Sequence, residues 1–112
     1  MSNITIQPAD GTWVVRTAGA VIGESRNALE LLEDGHDPVI YFPRSDIAMA
    51  FLDPSETKTT CPHKGEASHF DIIAKNGAIA DAGWSYETPK DAVSEIAGHI
   101  AFYADKVAIE NV

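Results

Sequence analysis

The stretch from Ser55 to Phe70 concentrates side chains that could do chemistry. It contains the only cysteine of the chain, Cys61, and with it His63, Lys64 and His69. A proline and a glycine in the same motif, TxTxCPxKGxA, fix one backbone angle and free another, which is typical of a shaped loop. We therefore predict that this stretch is a loop and that it forms the functional centre of the chain.

Cys61 and Lys64 are the candidate catalytic residues. A reactive thiol needs a lowered pKa, and the neighbouring Lys64 and His63 can supply positive charge. The alternative is a buried and inert thiol, because free cysteines are among the most buried residue types. The chain has no second cysteine that could resolve an oxidised thiol. Both interpretations stay open on the sequence alone.

Metal binding is the next chemistry to consider for this stretch. A structural zinc site needs four thiolate or imidazole ligands, and the chain has a single cysteine. A three-ligand site of Cys61, His63 and His69 would have an unfamiliar spacing. We therefore predict no metal site, with both histidines at the edge of a pocket, and the sequence identifies no cofactor.

Charged and hydroxyl side chains around this stretch suit a small anion. Arg44 presents a planar fork for carboxylate or phosphate, and Lys64 adds a point charge. We predict that a ligand-binding set forms from Arg44, Asp46, Ser55, Thr57 and Thr59. The alternative is a structural Arg44–Asp46 salt bridge at a corner between a strand and a helix.

Two aromatic residues complete the candidate site. Trp84 and Tyr86 lie two apart on a predicted strand, so their side chains share one face. If that face meets the central loop, the pair forms an aromatic wall for a ligand. The alternative is ordinary core packing.

Composition limits the function classes. The 112 residues include 17 acidic and 8 basic side chains, giving a formal net charge of −9. This excess disfavours binding to nucleic acid or to an anionic membrane. With 45% apolar residues and a single cysteine, we expect a folded cytoplasmic protein without a disulfide bond. The first ten residues lack the pattern of a signal peptide.

Short β-type runs separated by turn residues dominate the chain. Branched and aromatic residues predict strands over Trp13–Thr17, Ala20–Ser25 and Val39–Phe42. A second hairpin is predicted from Ala67–Ala74 and Ala78–Tyr86, because Lys75-Asn76-Gly77 between them is a strong turn signal. Ala18-Gly19 is the predicted turn of the first hairpin.

The remaining segments are less regular. Asn27–Asp34 fits either a helix or a strand. Short helices are predicted over Asp46–Phe51 and from Thr88 to Ala97, and a last hairpin over His99–Tyr103 and Lys106–Ile109. The pattern predicts a mainly β, antiparallel single domain (a β-rich α+β fold with one or two short helices) that spans residues 1–112.

Several separate motifs together resemble one family. They are the segment PVIYFPR with Asp46, the TxTxCPxKGxA motif, WSY with Pro89, and FY with Asp105 and Val107. This set, from about Arg16 to Val107, resembles the bacterial family of domain of unknown function 427. The resemblance implies a β-tent fold, similar to certain zinc-ribbon-like domains and methionine sulfoxide reductases, but it implies no activity.

Two features of the family bear on this sequence. A nucleotidyltransferase label has been attached to the family, but this chain has no paired carboxylates after a Gly-Ser signature. Family members tend to carry aromatic residues where this chain has His63 and His69. The resemblance therefore gives no ground for assigning either histidine to a mechanism common to the family.

The residues favour a pocket that binds a small polar or anionic ligand. Its walls would be the Arg44–Asp46 corner, the central loop, and the aromatic pair Trp84 and Tyr86. The alternative is a structural or protein-interaction module without catalytic activity. Convergence of Cys61, Arg44 and Trp84 on one recess would distinguish the pocket from the module.

Overall fold

The computed structural model describes residues 3–17, 19–75 and 77–112. Strands dominate them, and the helical segments are three short 3-10 helices at Arg44–Asp46, Met49–Phe51 and Asp91–Ile96. The strands are β1 (Ile4–Pro8), β2 (Trp13–Thr17), β3 (Ala20–Ser25), β4 (Leu29–Glu33), β5 (Val39–Tyr41), β6 (Leu52–Cys61), β7 (Gly65–Ala74), β8 (Gly77–Ser85), β9 (Ala101–Phe102) and β10 (Ala108–Asn111). The prediction of a mainly β fold is confirmed.

The described strands form three antiparallel sheets. The first has the order β1-β4-β5, the second β10-β2-β3 and the third β6-β7-β8-β9. Backbone hydrogen bonds between Phe42 and Ile100, in both directions, join the end of β5 to the start of β9. The first and third sheets are thereby held side by side.

Two clusters of buried residues stabilise this arrangement. The larger one includes Val15, Phe42 and Ile100, all with no exposed surface. The smaller one packs Leu31 and Tyr41 of the first sheet against Ala67 and Ala101 of the third and against Tyr86, which follows β8. The smaller cluster therefore forms the floor between two sheets.

Two of the three predicted hairpins are present. Strands β2 and β3 have the predicted bounds and pair with each other, and β7 pairs with β8 over nearly the predicted ranges. The turn residues Ala18 and Asn76 lie outside the described residues. The ambiguous segment Asn27–Asp34 contains strand β4, whose Leu31 is buried and pairs with Val39.

The prediction of a central loop over Ser55–Phe70 is wrong. Most of this stretch belongs to β6 and β7, which pair up to Cys61 and Gly65 and leave only a tight turn between them. Strand β6 is largely exposed, so it lacks the alternation of apolar residues that would have revealed it. Its threonines are β-branched and favour an extended backbone.

The predicted helix over Asp46–Phe51 is replaced by two 3-10 turns. Ile47, between them, is extended and forms a bridge with Gly23 of β3, which interrupts any continuous helix. The helix predicted from Thr88 to Ala97 is the 3-10 segment Asp91–Ile96, and its backbone leaves helical geometry at Val93.

The predicted last hairpin is also wrong. Strand β9 pairs with β8, whereas β10 pairs with β2 in another sheet. Between them, the N–H groups of Lys106 and Val107 both donate to the carbonyl of Tyr103. This turn directs the chain from the third sheet to the second. Strand β1, which was not predicted, pairs with β4.

No helix in the described part of the chain has the length and apolar character needed to cross a membrane.

Phe42 is predicted to contribute strongly to stability because its side chain is fully buried beside Phe102. We expect Phe42→Ala to lower the free energy of unfolding by about 4 kcal/mol. The matched control Phe51→Ala, at a site that is 49% exposed, should cost at most about 1 kcal/mol. Urea unfolding measures both values, and equal losses would contradict the described core.

Candidate ligand-binding cavity

One face of the third sheet carries the side chains of interest. His69 of β7 lies opposite Trp84 of β8, and Thr59 of β6 lies opposite Ala67 of β7. Residues opposite each other on antiparallel strands share a face, and so do residues two apart along a strand. Cys61 therefore joins Thr59 on the face that carries His69 and Trp84.

A cavity of about 460 Å³ lies between this face and strands β4 and β5. Leu31 and Glu33 of β4 and Val39 and Tyr41 of β5 form its other wall. This volume lies within the usual range for small-ligand sites. The first and third sheets thus enclose a recess rather than packing flat against each other.

Of the predicted site residues, five line this cavity: Thr59, Cys61, Lys64, Trp84 and Tyr86. Trp84 and Tyr86 face the same recess, as their spacing predicts. Tyr86 is also buried in the smaller core cluster, so the same side chain packs in the core and lines the cavity.

Aromatic contacts fix the position of Trp84. Its Nε1–H donates to Oη of Tyr41 at 3.3 Å, and the two rings meet edge to face at 6.3 Å between centroids. The ring of Tyr103 lies 4.5 Å from Trp84, on the side of β9. Tyr41 of β5 and Tyr103, which follows β9, therefore hold the Trp84 ring in place from outside its own strand.

An ion pair closes the other end of the cavity. Nζ of Lys64 lies 3.1 Å from Oε1 of Glu33, and the two side chains are only 12% and 9% exposed. Burial opposes both charges, but their hydrogen bond and mutual attraction outweigh it. The pKa of Glu33 is consequently lowered and that of Lys64 raised, so both are charged at neutral pH.

The turn between β6 and β7 positions Lys64. Its N–H donates to the carbonyl of Cys61, and its own carbonyl accepts from Lys90 in the segment that follows β8. Gly65 follows with φ of +115°, a conformation that residues with a side chain rarely adopt, and packs against Thr88 and Pro89. The Pro-x-Lys-Gly segment therefore forms a turn that directs the Lys64 side chain toward Glu33.

The thiol of Cys61 is half-buried next to this pair. Burial alone would raise its pKa, but hydrogen bonds from the backbone of His63 and from the side chain and backbone of Lys64 outweigh it, together with the Lys64 charge. The pKa of Cys61 is therefore lowered. A lower pKa increases the thiolate fraction, and the thiolate is the nucleophilic form.

Arg44 and Asp46 lie elsewhere. Arg44 contacts Ser85, whose side chain is on the opposite face of β8 from Trp84, and it pairs with Glu87. Asp46 accepts a hydrogen bond from Ser25 at 2.6 Å. Within the described residues, the alternative Arg44–Asp46 salt bridge is not formed either. The guanidinium is therefore not brought together with the thiol and the indole, so only two of the three groups predicted to converge on one recess do so.

Ser55 and Thr57 also lie away from the main cavity. Both hydroxyls donate to the carboxylate of Asp81, at 2.6 and 2.8 Å. These hydrogen bonds lower the pKa of Asp81. An irregularity in β6 between Pro54 and Lys58 separates this part of the strand from the Thr59–Cys61 part. Thr57 instead borders a shallow neighbouring depression.

Sequence reasoning missed five polar or aromatic residues that line the cavity: Glu33, His36, Asp37, Tyr41 and Tyr103. Tyr41 lay within the predicted strand Val39–Phe42, and its alternation with Ile40 and Phe42 could have assigned it to a face of that strand. Glu33 carries no local signal, since its role depends on pairing with Lys64, which lies 31 residues away. Such a pairing is visible only once the sheets are assembled.

His69 occupies the cavity at the end opposite Lys64. It is 3% exposed, and its Nε2 lies 3.3 Å from Oη of Tyr103 in a nearly parallel ring arrangement. Its Nδ1 is buried and has no hydrogen-bond partner among the described residues. Within the same residues, no cluster of three His, Cys, Asp or Glu side chains is arranged to bind a metal ion.

The fold and the site define a mainly β protein with a polar and aromatic cavity between two of its sheets. The chain matches the model of the family described as a domain of unknown function, DUF427, over residues 5–112. The protein therefore belongs to this family, and the resemblance noted in the sequence is confirmed over a longer range than expected. No curated protein matches the chain.

Removing one partner of the Glu33–Lys64 pair is predicted to destabilise the protein more than removing both. Lys64→Met leaves a largely buried carboxylate without its cation, and we expect a loss of about 2 kcal/mol in the free energy of unfolding. The double variant Glu33→Gln/Lys64→Met should recover most of that loss. Urea unfolding at neutral pH tests this, and two equally destabilised variants would contradict it.

The same pair predicts a pH dependence. Its contribution should be complete between the unfolded pKa values of 4.5 for Glu33 and 10.5 for Lys64. It is lost as pH falls through the lowered pKa of folded Glu33, or rises through the raised pKa of folded Lys64. In acid the parent protein should therefore lose stability relative to the double variant. If the free energies of unfolding of the two proteins change with pH in parallel, the ion pair does not cause the pH dependence.

Proposed function

We propose that this protein binds a small polar or anionic ligand in the cavity between its first and third sheets. The observation that supports this is the convergence of Cys61, Lys64 and the Trp84–Tyr86 face on one recess of about 460 Å³. The recess combines apolar aromatic walls with a few polar groups, which is the usual composition of a ligand site. Any catalysis would centre on Cys61 or Lys64.

The polar end favours a ligand group that accepts hydrogen bonds. The Lys64 ammonium has three donors, of which the contacts with Glu33 and with the Cys61 thiol use two. A carboxylate, phosphate or carbonyl oxygen of the ligand would take another donor. The anionic thiolate form of Cys61 would compete for the same ammonium, which restricts the ligand to a small group at this end.

The exposure of Cys61 argues against a purely structural module. A thiol that only packs would be sealed in a core, whereas Cys61 is half-buried at the edge of the smaller core cluster and borders the cavity. Trp84 is likewise only partly covered and packs at the same edge, whereas Tyr86 is buried.

Filling the cavity is predicted to abolish ligand binding. Thr59 lines the recess and is exposed, so Thr59→Trp places an indole in it without replacing a core residue. Thr60→Trp is the matched control, because alternation along β6 directs its equally exposed side chain to the other face. A thermal-shift screen of small carboxylates, phosphates and cyclic amides against the parent protein supplies the ligands.

The ligands found should raise the melting temperature of the parent and of Thr60→Trp, and leave Thr59→Trp unchanged. Equal shifts in all three proteins would place binding outside the cavity. A screen in which no compound stabilises the parent would favour the structural or interaction module instead.

A further inference from the structure

The unpaired Nδ1 of His69 is an anomaly that the structure leaves unexplained. The side chain is 3% exposed, and this nitrogen has no hydrogen-bond partner among the described residues. Nearly all buried polar atoms in folded proteins do have a partner, since an unsatisfied one loses its water without compensation. Because His69 lines the same cavity as Cys61 and Lys64, a bound molecule is the natural source of the missing partner.

The strand register gives the separation between the two polar ends. Cys61 lies opposite Gly65 of β7, and His69 follows Gly65 by four residues. At about 3.3 Å per residue, the two ends are roughly 13 Å apart along the strand. Thr59 and Ala67 lie opposite each other on this face between the two ends, and Tyr41, Trp84 and Tyr86 line the same cavity, so the interval is bordered mainly by apolar and aromatic groups.

We propose that the cavity takes a planar aromatic or heteroaromatic molecule with polar groups at both ends, one bound by Lys64 beside Cys61 and the other hydrogen-bonded to Nδ1 of His69. This inference rests on the proposed function and specifies its ligand class. A single compact anion cannot contact both ends at this distance. A flat molecule of that length uses the aromatic wall at Trp84 and satisfies the orphan nitrogen.

Tyr103 controls access to His69 in this proposal. Its ring stacks beside the imidazole and against Trp84, it is 36% exposed, and it follows the short strand β9. The Nδ1 atom has almost no exposed surface, so in this proposal the ligand reaches it by displacing the Tyr103 ring, which stacks beside the imidazole. The ring borders the apolar recess next to the main cavity, which provides space for that movement.

The probe must suit either tautomer of His69. While Tyr103 is in place, Nδ1 is a donor if Oη donates to Nε2, and an acceptor if Nε2–H donates to Oη. Once the Tyr103 ring is displaced, His69 can adopt either tautomer. A primary carboxamide can donate and accept. The matched probes are therefore N-(4-carbamoylphenyl)maleimide and N-phenylmaleimide, which differ only in the group that would reach His69.

Cys61 serves as the anchor in this test. Its sulfur adds to one carbon of the maleimide double bond, and the thiol proton ends on the neighbouring carbon. We expect the carbamoyl probe to react about fivefold faster than the phenyl probe, after correction by the same ratio for free cysteine, because one neutral hydrogen bond contributes a factor of this size. Intact-protein mass spectrometry gives both rates.

His69→Phe should reduce the corrected ratio to about one, whereas His99→Phe, at a histidine outside the cavity, should retain it. In case the buried substitution disturbs folding, nitrogen NMR of the parent protein gives a second readout: Nδ1 of His69 should shift in the carbamoyl adduct and not in the phenyl adduct.

The possible failures are distinguishable. If Cys61 reacts with both probes at the same corrected rate and Nδ1 does not shift, the proposal for His69 is overturned while the cavity stands. An ordered water that already pairs with Nδ1 would give that result. If Cys61 reacts with neither probe until the protein is unfolded, the proposed function falls as well.

Discussion

A largely buried ion pair between Lys64 and Glu33 connects the tip of the β6–β7 hairpin to the end of strand β4. Burying two charges is costly, and their attraction compensates only when the geometry is good and both partners are present. The contact therefore constrains how the first and third sheets meet. It also places a positive charge beside Cys61. One interaction therefore closes an end of the cavity and helps to lower the pKa of the thiol.

The rest of the site follows from strand alternation. Once β6, β7 and β8 pair in the observed register, Thr59, Cys61, His69 and Trp84 must share one face, and the residues between them must face away. This explains why Arg44 lies apart, since it contacts Ser85 on the other side of β8. The cavity is the space that the first sheet leaves above that face.

Local patterns in the sequence predicted some of the strands but not their assembly. The β2–β3 and β7–β8 hairpins could be predicted because branched residues and turn signals are local properties. The pairing of β10 with β2, and of Lys64 with Glu33, depends on contacts between distant segments, which no local pattern encodes. The polar residues near Thr57 suggested a loop, because an exposed strand has no apolar alternation to reveal it.

The most direct test is the pH dependence of Cys61 alkylation by iodoacetamide in the folded protein and in urea. The account predicts that the folded thiol reacts at neutral pH, and that its reaction midpoint lies at a lower pH than in the unfolded chain, because Lys64 and the backbone N–H groups stabilise the thiolate. A thiol that reacts only after unfolding, or with a midpoint that folding raises, would contradict it.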